Sequence, residues 1–353
     1  MENPLDFLSL PNVEPALFFS GIDASMEGVA RFAAVSSACE LQLFDRLEEG
    51  IGEPKLLAER TGVDEVTLEL LLTVLCDTGL VSLTEKGFRN SPLTSTFLVS
   101  GSPYTQVHYI RKNAIFVREI WAHLTKLLVE GPLPFPGDTF FQEISLPAMA
   151  DNALCGRLQR TIREIATLPG FSGCRKMIDL GGGHGLYAIA LTAINPGLEA
   201  VVFDLPSVTP LAEKNIARFH ADRVRTMAGD FFSAPFGTGY DIIFSSSNPS
   251  GKSIDLVPVI ADALNPRGFF MNVQSDDGNQ KNVYQALEWQ LWTIGHEEKG
   301  KGNYTKERPF LTEAYRQALQ TAGLIMVRET RIRDDYHKDA SVHLMIARKE
   351  DTS

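Results

Sequence analysis

The sequence predicts an α/β chain: an all-α winged-helix module followed by a domain built on a doubly wound parallel sheet. Three observations predict it. Apolar residues recur at three- and four-residue intervals ahead of Cys174, short apolar strands alternate with helical stretches after it, and one strand runs directly into a glycine-rich turn at Asp179–Gly185. At 353 residues the chain has room for about two domains. The expected boundaries are a winged-helix domain over 1–104, connecting helices over 105–168 and the α/β domain over 169–353.

Composition sets the class. Hydrophobic residues make up 44% and charged residues 22%, the range of a packed globular protein rather than a disordered one. Apolar runs such as Leu70–Cys76 fall far short of a bilayer span, and the acidic start (Glu2, Asp6) lacks a signal peptide's basic region. No membrane association is expected. Cys39, Cys76, Cys155 and Cys174 lie far apart, with no C-x-x-C and no metal-ligand spacing, so the expectation is a cytoplasmic protein without disulfides or a metal.

Helix spacing over 25–48 gathers Val29, Phe32, Ala33, Cys39, Leu43, Phe44 and Leu47 on one face. Pro54–Thr61 reads as a short helix stopped by Gly62, and Asp64 as the N-cap of a Leu-rich helix over 66–76. A small hairpin over Val81–Arg89 completes a winged helix-turn-helix. A nucleic-acid function does not follow, because the would-be recognition helix opens with Asp64, Glu65 and Glu69 and no cation. Residues 1–100 hold 6 Lys/Arg against 16 Asp/Glu, a balance that repels phosphate backbones. Two long helices are expected over 105–130 and 151–167, separated by a loop over 131–137 that contains three prolines.

Strands are predicted at Lys176–Leu180, Ala200–Phe203, Val224–Met227, Asp241–Ser245, Gly268–Val273 and Val342–Ala347. In such sheets ligands sit beyond the carboxyl ends of the strands. The turn Gly181-Gly182-Gly183-His184-Gly185 lets the backbone approach a nucleotide closely. With Ala188 and Asp204 it also satisfies a dinucleotide fingerprint, so a nicotinamide-dependent oxidoreductase stands as a rival reading. Asp179 and Asp230 weigh against it. Carboxylates at the ends of three successive strands, Asp179, Asp204 and Asp230, suit a ligand with an ammonium, a ribose diol and an adenine but no phosphate. S-adenosylmethionine has that chemistry.

Three segments, Ile178–Gly185, Val202-Phe203-Asp204-Leu205-Pro206-Ser207-Val208, and Asp222–Val224 through Gly229-Asp230-Phe231-Phe232, together resemble the small-molecule O-methyltransferases of the plant caffeate and animal acetylserotonin type, which have bacterial relatives. Leu264–Phe269 and Lys306–Glu313 through Leu324 are similar to that family's later segments, and the acidic winged helix is similar to its dimerisation domain. The resemblance implies a Rossmann-like class I methyltransferase domain, a homodimer formed through the N-terminal domain, and a small-molecule methyl acceptor of the kind met in secondary metabolism. It also implies cofactor roles: Asp179 toward the amino-acid tail, Gly181 and Gly183 along the methionine part, and Asp204 on the ribose. Asp230 with Phe231 would bound the adenine, and Leu205 and Ser245 would join the cofactor site.

One departure stands out. Phenol-methylating members carry a histidine base about nine residues beyond the aspartate that opens the fourth strand. Here that stretch reads Asp241 to Lys252 without a histidine, and Ser250 is the nearest match to the base position. An unactivated hydroxyl has no basic form near pH 7, whereas a phenol with pKa about 10 is mostly protonated there. Four explanations are open. A base could come from elsewhere, with His296 the nearest to a substrate wall and His108 and His123 on the connecting helices. The acceptor could need little help, as a carboxylate, thiol, acidic enol or carbon does. Asn248-Pro249 could mark nitrogen methylation. Catalysis could also be lost, leaving a cofactor-binding or regulatory dimer. By resemblance, Phe140, Phe141, Met149, Trp289, Trp292 and Tyr304 are expected to line a pocket for a flat acceptor.

Overall fold

A computed structural model describes residues 10–135, 141–275, 283–294, 312–334 and 340–351. Contacts divide the chain into two units, Met1–Ala114 and Ile115–Ser353, so the segment 105–168 contributes helices to both. No helix among the described residues is long and apolar enough to cross a membrane.

The first unit opens with α1 (Pro15–Glu40), continued by α2 (Leu43–Glu48), α3 (Pro54–Thr61) and α4 (Glu65–Asp77). The single helix expected over 25–48 is broken, because Gln42 adopts a left-handed φ of 54° and turns the chain between α1 and α2. Asp64 caps α4 by accepting from the Thr67 N–H at 3.0 Å. At the other end, Gly79 (φ 73°) lets the Leu80 N–H reach back to the Leu75 carbonyl at 3.0 Å. The wing is an antiparallel pair, β1 (Val81–Thr84) with β2 (Gly87–Asn90), followed by α5 (Pro92–Phe97). Leu43, Phe44, Leu57, Leu68, Leu72 and Leu75 fill the core between these elements.

Helix α6 (Val107–Glu119) crosses the boundary between the units. The long helix expected over 105–130 is interrupted by a 3-10 turn, Trp121–His123, before α7 (Leu124–Glu130). The one expected over 151–167 is two helices, α8 (Leu146–Ala153) and α9 (Arg157–Ala166), separated where Gly156 takes a φ of 113°.

The second unit is organised by a seven-stranded sheet. Its parallel strands are β4 (Lys176–Leu180), β5 (Glu199–Asp204), β6 (Val224–Ala228), β7 (Tyr240–Ser246) and β8 (Leu264–Ser275). A hairpin of β10 (Leu324–Asp334) and β11 (Ala340–Lys349) adds antiparallel to β8, giving the order β10-β11-β8-β7-β4-β5-β6. Strand β10 was not among the expected strands. Side chains alternate between the faces with the two-residue period of a strand. Met177, Val202, Ile242 and Phe244 pack on one face beneath α9, α10 (Leu186–Ile194) and α11 (Thr209–Arg218). Ile178, Val201, Phe203 and Ile243 pack on the other, against α12 (Val257–Ala263) and α14 (Glu313–Thr321). The proline-containing loop is partly extended, because its β3 (Leu133–Phe135) pairs in parallel with β9 (Trp292–Ile294), which follows α13 (Val283–Gln290).

Candidate active site

Strand order reverses at β4. The chain leaves it through α10 to β5 on one side and returns on the other side as β7, which opens a crevice at the carboxyl ends of β4 and β7. The glycine-rich turn lies at that point because no other residue fits there. Gly181 and Gly183 have φ values of 65° and 53°, and a Cβ on Gly182 would stand 2.8 Å from both Asp179 Cγ and Val202 Cγ1. A Cβ on Gly183 would meet Leu146 at 3.1 Å, so α8 lies against the turn.

Asp179 and Asp204 stand on the same face of the sheet. Asp179 pairs in register with Val202, and Asp204 follows two residues later. Asp179 is 1% exposed, and among the described residues neither carboxylate oxygen has a hydrogen-bond partner. Burial, reinforced by the Asp204 charge, pushes its pKa up to about 8. Asp204 accepts from the Gly183 N–H and the Leu205 N–H, each at 2.8 Å. Burial raises its pKa against those two bonds. Asp230 is turned into its own loop, accepting from the Phe232 N–H at 2.9 Å and the Ser233 hydroxyl at 3.3 Å. Phe231 is half-buried with its ring 4.7 Å from that of Phe232, while Leu205 is exposed. His184 is buried; its Nδ1 accepts from the Leu186 N–H at 3.2 Å. Burial, with Arg157 nearby, lowers its pKa to about 3, so it stays neutral.

Across the crevice lies a polar network without a charge. Asn248 Nδ2 donates to the carbonyls of Leu180 (2.8 Å), Gly181 (3.2 Å) and Ser246 (3.2 Å). Its Oδ1 accepts from the Ser250 N–H at 2.9 Å, from the Ser250 hydroxyl and from the Ser245 hydroxyl at 3.2 Å. Ser245 and Ser250 are fully buried and their hydroxyls lie 2.8 Å apart. Gln274 and Asn272, two buried residues of β8, extend the network. Gln274 donates to the Asn248 carbonyl (3.2 Å) and to Asn272 Oδ1 (2.8 Å), and Asn272 donates to the Gly251 carbonyl (2.6 Å). Ser250 is thus enclosed and hydrogen-bonded to neutral partners.

The turn therefore brings together Asp179, Gly181, Gly183, Asp204, Ser245 and Ser250. Phe141 and Met149 are half-buried, in the π-helical turn Phe141–Ser145 and on α8. Trp292 is buried in a separate apolar cluster, its ring 5.4 Å from Phe116 and 5.1 Å from half-buried Trp289. His296, Phe140, Tyr304 and the segment 306–311 lie outside the described residues. The sequence reading singled out neither Asn272 nor Gln274, and it took Asn248 only as part of a faint motif. The available signal was polarity: two amides, Asn272 and Gln274, flank Val273 in a central strand, where apolar residues are the rule.

Comparison with known proteins agrees with this geometry. Residues 149–268 match the family model of the O-methyltransferase domain, and residues 24–100 that of the O-methyltransferase dimerisation domain. The protein MJ0086 of Methanocaldococcus jannaschii is 30% identical over 90% of this chain and 87% of its own length. The 3-hydroxy-5-methyl-1-naphthoate 3-O-methyltransferase of Streptomyces sahachiroi is 30% identical over 62% of this chain and 65% of its own. Human N-acetylserotonin methyltransferase, solved in complex with S-adenosylmethionine, shares the fold with a TM-score of 0.69 at 21% identity, over 97% of this chain and all of that one. The glycine turn at the switch point, the antiparallel hairpin on the sheet and both domain matches converge: the chain belongs to the S-adenosylmethionine-dependent O-methyltransferase family and is a methyltransferase.

Proposed function

We propose that the protein methylates an oxygen of a small, flat aromatic or conjugated acceptor, holding S-adenosylmethionine at the carboxyl ends of β4 and β5, and works as a homodimer. The observation that carries the reading is Asp179, a buried carboxyl group without a hydrogen-bond donor directly beneath the glycine turn. A buried carboxylate without a donor is costly, and an ammonium group supplies one. The cofactor fits these residues. Gly181 and Gly183 admit its amino-acid part, and Asp204 retains lone pairs for the ribose hydroxyls. Leu205 and Phe231 offer apolar surface for an adenine whose amino group lies toward Asp230.

When bound, S-adenosylmethionine supplies a methyl group that is already electrophilic on its sulfonium. The chain's own residues then position the acceptor, and orientation alone can supply several kcal/mol of the barrier. Ser250 takes no proton, since its hydroxyl is committed to Asn248 and Ser245. The reading therefore favours an acceptor oxygen that ionises readily, such as a carboxylate, an acidic enol or an acidified phenol. The name of the Streptomyces relative, which acts on a hydroxylated naphthoate, supports an aromatic acceptor. Homodimerisation is supported by the dimerisation-domain match and by an uncovered apolar stripe on α1, Phe18, Ile22, Met26 and Val29, with Val66 and Leu70 exposed on α4.

Calorimetric titration with S-adenosylhomocysteine, followed by transfer of labelled methyl to paired acceptors of low and high pKa, tests the proposal. Asp204→Ala should weaken binding about 10- to 100-fold, from loss of hydrogen bonds to a charged group. Binding of a nicotinamide dinucleotide in place of S-adenosylhomocysteine, or equal turnover of weakly acidic phenols, would refute it.

A further inference from the structure

The enclosure of Asp179 reaches further than a contact. From β5, Val202 faces it directly and Asp204 lies two residues on; from β7, Phe244 is its partner in register; from the turn, Gly182 closes over it. Among the described residues, titratable groups on this face include Tyr187 of α10, whose ring lies 4.9 Å from Phe244, His184, whose ring lies 6.2 Å from that of Tyr187, and Cys174. Arg157 of α9 bears on His184. The charge acting on Asp179 is thus a second carboxylate, and among the described residues no donor touches either of its oxygens. An ionised carboxylate in such a cage lacks both a counter-charge and solvation, so the ligand-free protein holds the acid form.

We propose that Asp179 is a proton-linked receptor for the cofactor's ammonium group: protonated in the ligand-free protein, it releases its proton to solvent when the ammonium enters and pairs with it as a carboxylate. This rests on the cofactor reading above. The balance is simple: the carboxyl O–H bond breaks, the proton passes to the buffer, and one ion pair forms. The upward displacement of the Asp179 pKa to about 8 places the group mainly in its acid form at neutral pH. Asp179 then makes affinity for ligands with an amino-acid tail depend on pH, a selectivity that the ribose and adenine contacts do not supply.

Calorimetry of S-adenosylhomocysteine binding at pH 7, in phosphate and in Tris, reads the protons released from the difference in buffer ionisation heat. Wild type should release close to one proton per site and Asp179→Asn none. 5′-Methylthioadenosine, which lacks the ammonium group, should release none whether or not it binds. Failure of S-adenosylhomocysteine to bind wild type would instead overturn the cofactor reading itself. Binding without proton release, or equal release by Asp179→Asn or with methylthioadenosine, would overturn the proton linkage while leaving the cofactor reading intact. Should Asp179→Asn not fold or not bind, the infrared carbonyl band of a protonated carboxylic acid decides: it must be present in ligand-free wild type and vanish on saturation with S-adenosylhomocysteine.

Discussion

Asn248→Ala removes a side chain that joins the end of β4 to the turn after β7, and its cost can be worked out group by group. The Ser245 and Ser250 hydroxyls retain each other at 2.8 Å. Of the groups deprived of their amide partner, the carbonyls of Leu180, Gly181 and Ser246 and the Ser250 N–H, the two held most closely are the Leu180 carbonyl, at 2.8 Å, and the Ser250 N–H, at 2.9 Å. Each buried polar group left unpaired costs about 1–3 kcal/mol, so the pair amounts to about 4 kcal/mol. For a unit of this size about 2–4 °C is lost per kcal/mol, giving a fall in melting temperature of about 12 °C. Asn248 also fixes the Gly181 carbonyl, so the affinity for S-adenosylhomocysteine should fall about tenfold, or 1.4 kcal/mol. Scanning calorimetry gives the first quantity and titration the second. A melting temperature within 2 °C of wild type, or an unchanged dissociation constant, would refute the clamp.

The remaining predictions concern the base position, pH and assembly. Ser250→Ala should retain turnover within about tenfold, because the hydroxyl moves no proton; a loss of a hundredfold or more would make it a participant in catalysis. Ser250→His should not create a base, since the position is fully buried and an added ring costs about 1–3 kcal/mol or more in overpacking; recovery of phenol methylation would contradict this. The raised pKa of Asp179 means that the folded, ligand-free state holds the proton more tightly than the unfolded chain, so that contribution is full below about 4 and is lost as pH rises toward about 8. The depressed pKa of His184 acts in the opposite sense, removing stability as pH falls from 6.5 toward about 3. Between pH 6.5 and 8 Asp179 dominates, and the urea midpoint should correspond to a loss of about 2 kcal/mol that Asp179→Asn abolishes; flat or rising wild-type stability would refute it. Ile22→Glu with Met26→Glu places charges on the uncovered α1 stripe and should yield a monomer by light scattering; an intact dimer would place the interface elsewhere.

What could be read from the sequence was local. Strands β4, β5 and β7 were legible because both faces of each are buried, leaving short apolar runs, and because β4 runs into glycines whose φ values only that residue adopts readily. Strand β10 was not, because Arg328, Glu329, Arg331, Arg333 and Asp334 make it look like a solvated segment. It is an edge strand, where charges discourage pairing with another chain. The break between α1 and α2 falls at Gln42, with no glycine or proline to announce it, whereas the break between α8 and α9 falls at Gly156, which the helix expected over 151–167 ran through. The glycine turn was visible for the same reason as β4. The network around Ser250 was hidden, since its partners come from β4 and β8, far along the chain.

The two sides of the crevice divide the labour of charge. On the face with Asp179 and Asp204, burial raises the pKa of both carboxyl groups, and the buried histidine nearby stays neutral. On the other face, Ser245, Ser250, Asn248, Asn272 and Gln274 form a network of hydroxyls and amides, none of which ionises near neutral pH. A histidine at position 250 would need a partner for its second ring nitrogen and room for its charged form, and neither exists once Asn248 has joined the strand ends. On the proposed reading, proton movement belongs to ligand binding at Asp179, and methyl transfer relies on the acidity of the acceptor and on the rigidity of the turn that Asn248 holds.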